Sequence, residues 1–508
     1  MPSETSPATV PISAVMQRPL WRDTFSSLRL HNYRLYVIAQ FIAYTAAWVQ
    51  RIAVDWLVLE LTGNVALVGL TIAIQFTPTI VLGAYAGVIA DRFDKRATLM
   101  VAQSIVGVLS LTLAIVTIVG AAQLWLVYLI VLLMGIVQVF DNPARAVFVN
   151  ELVGPRHLRN AISLNASIFN SGAFLGPALS GALIVAAGSG WAIGINAVAV
   201  VFGVIILASM RKSELLIAPR APESKGQIRE AVRYIRKKPT LFWTMVMIFV
   251  VAIFGMPMPT LLAAMANTVH ETGASGYGLY NSLAAIGALL GALASARRSS
   301  LRLRTIIFGA VLYGLMMMLA GIAPFYGLFL GVLIGIGLSR LLLMTAAETM
   351  VQLSSNLVIR GRVMAFWVMV IIGGQAIGGP LMGSIAELLG ARVAFVIAGG
   401  VPAAVAIAIA LVLARSGRLK VRVKPRRNGR WVAIVPQNRS RAITEPLMII
   451  TTDSSPAKEP RAAADSVPVT ADEAATVDTA TQQTVSSAPQ RKRFRVIGMP
   501  ERNSNRGD

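Results

Sequence analysis

Gly87-Val88-Ile89-Ala90-Asp91-Arg92-Phe93-Asp94-Lys95-Arg96 packs two acids and three bases into its last six residues, where one long apolar run stops and the next begins. No other connection of this length between apolar runs is so charged. The runs on either side, 66–90 and 97–119, are each long enough to cross a hydrocarbon core of roughly 30 Å at about 1.5 Å per residue of helix. The decapeptide therefore reads as a tight turn at one face of a membrane.

The rest of the chain agrees with that reading. Of its 508 residues 56% are apolar and 14% charged, and a mean hydropathy of +0.67 is too high for a soluble protein of this size. The net charge of +23 is spread over loops and tail rather than over an aromatic-studded face. That distribution points to anionic lipid headgroups and away from nucleic acid. With no cysteine there is no disulfide or thiolate metal site, and three histidines without an H-E-x-x-H pattern give no expectation of a metal or other cofactor. No secretory signal pattern precedes the first run.

Apolar runs near 35–59, 66–90, 97–119, 123–141, 161–187 and 191–210, then 240–265, 276–296, 304–322, 325–347, 363–387 and 391–414, make twelve candidate spans. Bases mark the connections after even-numbered spans: Lys95 and Arg96, Arg145 and Arg156, Arg236 to Lys238, Arg297 and Arg298, Arg360 and Arg362. After odd-numbered spans there is only Arg392, so the positive-inside rule puts both termini and the central loop in the cytoplasm. The halves repeat. Gly176-Pro177 recurs as Gly379-Pro380 and Lys95-Arg96 as Arg297-Arg298, 203 and 202 residues later. The expected organisation is an N-terminal segment 1–34 with a short interfacial helix, six-helix bundles at 35–210 and 240–415, a central loop 211–239, and a disordered basic tail 416–508. The loop carries an amphipathic stretch at 228–236, read either as an interfacial helix or as a solvated linker. The seam between the bundles is where a substrate path belongs.

G-x-x-x-D-R-x-x-K-R between spans 2 and 3 resembles the signature loop of the major facilitator superfamily. Asp94 at its eighth position is similar to the enterobactin-exporter-like and macrolide-exporter-like branch of drug:proton antiporters. Trp48-Val49-Gln50-Arg51, Trp56 to Gly63, Asp141-Asn142-Pro143-Ala144-Arg145, Asn170 with Gly176-Pro177, and Arg360-Gly361-Arg362-Val363-Met364 extend the resemblance over about 25–415. It implies an all-α polytopic fold, twelve transmembrane helices in two six-helix bundles, and transport by alternating access. It also implies that Gly87 meets span 11 and that Asp91 faces the start of that span near Arg362. Arg92 would pair with Asp141. With Lys95, Arg96 and Arg145, these residues form the expected gating set. Gly172, Gly176, Pro177 and Gly181 in span 5, with Gly379, Pro380 and Gly383 in span 11, resemble the exporter packing motif and allow close crossing and a bend.

Charges inside spans are costly unless paired or wet. Arg51 and Asp55 share a face of span 1 at i and i+4, so Asp55 is the candidate proton carrier, or else half of a static salt bridge. Arg340 in span 10 either lines a wet seam or meets an anionic group of the substrate. Tyr44, Trp48, Gln138, Asn165, Met256 and Gln375 complete the candidate cavity. Pro257 and Pro259 predict a bend in span 7. The reading that follows is a monomeric, multi-pass efflux protein of the bacterial inner membrane, of the multidrug-resistance kind, exchanging protons for small amphiphiles. A facilitator or uptake carrier on the same fold and a non-transporting scaffold acting through the tail are the alternatives.

Overall fold

The computed structural model describes residues 27–92, 94–211, 214–216, 227–296, 300–301, 303–356, 359–415, 420–423, 432–435 and 447–448. Twelve of its helices are long and apolar enough to cross a membrane. In hydrocarbon every backbone N–H and C=O must find a partner within the protein, and a helix achieves this inside one segment. The first six spans are His31–Thr62, Val65–Arg92, Lys95–Ile118, Leu124–Gly154, Asn160–Ala187 and Ser189–Ser209. The second six are Pro239–Val269, Gly273–Ala296, Leu303–Ile322, Tyr326–Ser354, Arg360–Leu389 and Ala391–Arg415. The face holding the connections after even-numbered spans is called the basic face below, and the other the base-poor face.

Local chemistry sets the ends of these helices. Gly63 closes span 1 in the left-handed region (φ 64°), and its N–H reaches the Leu59 carbonyl at 2.7 Å. Within the signature decapeptide, the Asp94 carboxylate accepts from the Ala97 N–H at 2.7 Å and caps span 3. Arg96 is buried and donates to the Leu207 and Ala208 carbonyls, 2.7 Å each. It thus binds the C-terminal end of span 6, where free carbonyls favour a cation. Asp94 of the signature and Arg96 of the expected gating set thus hold helix ends in place.

Three features depart from the sequence reading. Span 4 does not stop near 141: its helix runs to Gly154, where the backbone turns through φ 66°, so Asp141 to Arg145 lie inside the helix. An i, i+4 ion pair there supports continuation through the proline. Span 7 is broken rather than smoothly bent, with helices Pro239–Phe254 and Met258–Ala264 followed by a π-helical turn Met265–Val269. Pro259 has no N–H for the Gly255 carbonyl four residues back, and the Tyr313 hydroxyl donates to that carbonyl instead, at 2.7 Å. Finally, within the stretch expected to be disordered, strands β2 (Lys420–Val423) and β3 (Val432–Val435) pair antiparallel, and β4 (Leu447–Met448) pairs with β1 (Ser300–Leu301) between spans 8 and 9.

The central helix, Gln227–Lys237, docks on the basic edge of the second bundle. Glu230 pairs with Arg362, the Tyr234 hydroxyl accepts from the Asn356 N–H at 3.0 Å, and Lys238 donates to the Ser354 carbonyl at 3.0 Å. Both bundles fall in one compact unit that extends to Thr452; the remaining unit, Asp453–Asp508, lies wholly outside the described residues.

Candidate functional site

In the half toward the base-poor face the bundles meet backbone to backbone. A Cβ on Gly69 of span 2 would collide with the Gly379 carbonyl of span 11, and one on Gly383 would come within 2.8 Å of the Val65 carbonyl. Gly181 of span 5 and Gly278 of span 8 make the equivalent crossing, a Cβ on Gly278 falling 2.7 Å from the Pro177 carbonyl. Small residues of this kind let helices approach closely in lipid, where packing rather than water expulsion drives association. Among the described residues two hydrogen bonds join the bundles in this half. The Glu387 carboxylate accepts from the Val65 N–H at 2.8 Å, so an acid of one bundle caps a helix of the other. The Tyr277 hydroxyl of span 8 donates to Asp55 of span 1 at 3.2 Å, and the Tyr277 ring stacks on Trp56 at 5.9 Å. Asp55 is only 3% exposed, which shuts it inside the seam.

Toward the basic face the same helix faces come apart. Ser163 lies 18 residues, five turns, before Gly181 and therefore on the same face of span 5; Ser167 and Asn170 flank that line. All three are exposed, and the hydrogen bonds of Ser167 and Asn170 run to carbonyls of their own helix. On span 8, Leu289 is 11 residues, about three turns, past Gly278 and is 50% exposed. The face that is packed tight at Gly181 and Gly278 is thus accessible farther down, and the result is a cleft that opens on the basic face.

The expected gating residues divide. Gly87, Asp91 and Arg92 fall in the last turns of span 2, and their contacts lie outside the described residues. Span 2 does pack on span 11, through Gly69 and Gly379. Asp141 is engaged by Arg145, whose guanidinium donates to both carboxylate oxygens at 2.7–3.0 Å, and by Gln103 at 3.4 Å. Arg145 also reaches Gln40 and lies over the Tyr44 ring. Arg362, expected near Asp91, pairs with Glu230.

The cavity candidates also divide. Tyr44 and Trp48 pack edge-on against Phe169, at 5.3 and 6.1 Å, along the crossing of spans 1 and 5 where Gly172 and Gly176 sit. Arg51 does not pair with Asp55. Its guanidinium lies 5.7 Å from the ring centres of both Trp48 and Phe76. Asn165 is half-buried, with a carbonyl oxygen that lacks a partner, and Gln138 is exposed. Met256, Arg340 and Gln375 are half-buried on the second bundle; Gln375 bonds only within its own helix. Tyr277, Glu387, Gly69, Gly278 and Phe76 were not singled out from sequence. For Glu387 the signal was present, since it is the one acid in span 11 and so a second carboxylate at the base-poor end of the seam.

A family model described as transmembrane secretion effector matches residues 22–442, which extends past span 12 over the β2–β3 hairpin. An uncharacterized MFS-type transporter, YfiS of Bacillus subtilis, is 25% identical over 403 residues, covering 76% of this chain and 92% of its own. The enterobactin exporter EntS of Citrobacter koseri is 23% identical over 386 residues, covering 74% and 90%. The fold matches the crystal structure of a bacterial homolog of the human lysosomal transporter Spinster, inward-facing and occupied, with a TM-score of 0.61 at 15% identity, covering 75% and 97%. The nucleoside transporter NupG matches with a TM-score of 0.60 at 14% identity, covering 75% and 99%. With a twelve-span fold and a seam closed at one face, the chain belongs to the transmembrane secretion effector family of MFS transporters, multi-pass membrane proteins that move solutes and are not catalytic enzymes.

Proposed function

We propose that this protein exports amphiphilic small molecules from the cytoplasm across a bacterial inner membrane by alternating access, in exchange for protons carried on Asp55. The basic face is taken as cytoplasmic, with both termini there, which makes the described arrangement an inward-open state. Export, as against uptake, is supported by relatives named as enterobactin exporters. The observation that carries proton coupling is the burial of Asp55 in the closed part of the seam, hydrogen-bonded across it to Tyr277. Desolvation disfavours a carboxylate's charged form, so closure over Asp55 is easier once it holds a proton, and opening toward the outside exposes it to the proton source. One proton crossing about 100 mV supplies roughly 2.3 kcal/mol, close to a fifty-fold gradient. The protein acts as a monomer, its basic loops held to anionic headgroups.

The test is internal pH in vesicles of defined orientation carrying the full chain, on addition of lipophilic cations, macrolides, tetracyclines and siderophores. Substrate-dependent proton flux that disappears in Asp55→Asn is the expected result. Substrate movement without proton flux would make the protein a facilitator and Asp55 a structural residue.

A further inference from the structure

The charge of the seam selects among amphiphiles. Of the charged side chains in the middle of the spans, Asp141 and Arg145 neutralise one another, and Asp55 accepts from Tyr277 while lying near enough to Arg51 to attract its charge without touching it. The guanidiniums of Arg51 and Arg340 make no direct hydrogen bond or ion pair among the described residues, so two bases face one acid, Asp55, in this part of the seam. Arg51 lies 11 residues from the base-poor end of span 1, about 16 Å along the helix. It is one turn below Asp55 on the same face, so it points into the seam just beneath the closed part. Arg340 is 14 residues from the corresponding end of span 10, about 21 Å along it. An unpaired cation at such depth is retained only beside water or a counter-ion.

The aromatic partners of Arg51 sharpen this. Trp48 and Phe76 come from different helices and flank its guanidinium at equal distance. They hold it by cation–π attraction while leaving its N–H donors free, and a guanidinium presents those donors in a fork that fits a planar anion. We infer that the substrate of this exporter is an amphiphilic organic anion, its charge bound by Arg51 and its flat apolar body by Trp48 and Phe76, with Arg340 adding to the positive field of the seam. The inference rests on the export reading above. Leaving the cytoplasm, such an anion moves with an inside-negative membrane potential, so the potential and the proton gradient drive export in the same direction.

The experiment uses the full chain in nanodiscs and three probes with one aromatic body: naphthalene-2-sulfonate, 2-naphthol and naphthylmethyl-trimethylammonium. Calorimetric binding of the sulfonate at least about tenfold tighter than of the ammonium is expected, with the naphthol between. Arg51→Gln removes the preference, Arg51→Lys keeps most of it, and Trp48→Leu weakens all three probes alike. Equal or inverted affinities, no binding of the sulfonate, or an undiminished preference in Arg51→Gln would overturn the assignment. The sulfonate is then followed in the oriented vesicles. Binding without movement would sink export and leave the anion site standing, whereas movement of the ammonium in its place would do the reverse.

Discussion

The two halves of the seam use acids in opposite ways. Toward the base-poor face Asp55 and Glu387 each reach across from one bundle to the other. Toward the basic face Asp141 pairs with Arg145 on its own helix, and Glu230 ties the central helix to span 11. Carboxylates that bridge a seam must be released before it parts, while those satisfied within a bundle travel with it. The base-poor half is therefore fastened by contacts between the bundles, and the acids of the basic half are satisfied within one bundle or its docked helix. The glycines follow the same division: Gly69 and Gly181 are crowded, whereas a Cβ on Gly373 of span 11 would meet nothing within 4 Å.

The largest effect is expected from breaking the close crossing. Gly69→Leu forces the span 2–span 11 contact apart at a cost of about 1–3 kcal/mol. The chain has no cysteine, so one placed at Ala274, buried beside Gly181, reports opening of that face. Its labelling by an impermeant maleimide should rise roughly 5- to 150-fold in Gly69→Leu and stay unchanged in Gly373→Leu. Equal responses would show that the two halves are not distinct in packing.

Tyr277→Phe keeps the ring on Trp56 and removes only the donor to Asp55. Loss of a hydrogen bond to a charged acceptor costs about 1.5–3 kcal/mol, less when the acid is protonated, so the rise in labelling over the chain that keeps Tyr277, compared at each pH to cancel the thiol's own ionisation, should be larger at high pH than at low. A pH-independent rise would mean that Asp55 does not titrate in the closed seam. Glu387→Gln is the gentler change, because an amide oxygen still accepts from the Val65 N–H and only the charge at the helix end is lost. About 0.3–1 kcal/mol is expected, read as up to a fivefold rise in labelling that shrinks in high salt.

Much of this was legible in the sequence, for identifiable reasons. The number of spans follows from hydropathy, because the bilayer demands a long apolar helix of every segment that crosses it. Asp55 and Arg51 stood out because charge in a span is expensive. Their relation did not: spacing of i and i+4 permits a salt bridge, but Tyr277 from span 8 takes the acid, and Trp48 and Phe76 take the base. The extension of span 4 was hidden by Pro143 and by polar residues that read as a loop. Asp94 and Arg96 sit in a signature read for gating, yet their partners are the Ala97 amide and carbonyls of span 6. Partners that arrive from a distant helix leave no local pattern.

A last prediction turns on His270, one residue past the π-helical end of span 7, at the base-poor face. Its ring lies 4.9 Å from Phe329 and 5.0 Å from Tyr326. Burial holds its pKa below the usual 6.5, and the nearby Arg392 charge lowers it further. Above pH 6.5 the imidazole is neutral in folded and unfolded chains alike and contributes no pH dependence. As pH falls through 6.5 toward the lower folded value, the unfolded chain takes up the proton first and stability is lost. The melting temperature should therefore drop between pH 7.5 and 5.5, less steeply in His270→Phe, whose ring fits the same aromatic surroundings, and less steeply in Arg392→Gln. If both variants keep the full slope, the pH sensitivity belongs to the acids of the seam, and the contacts at this face are governed by Asp55 and Glu387 rather than by the aromatic cluster beside it.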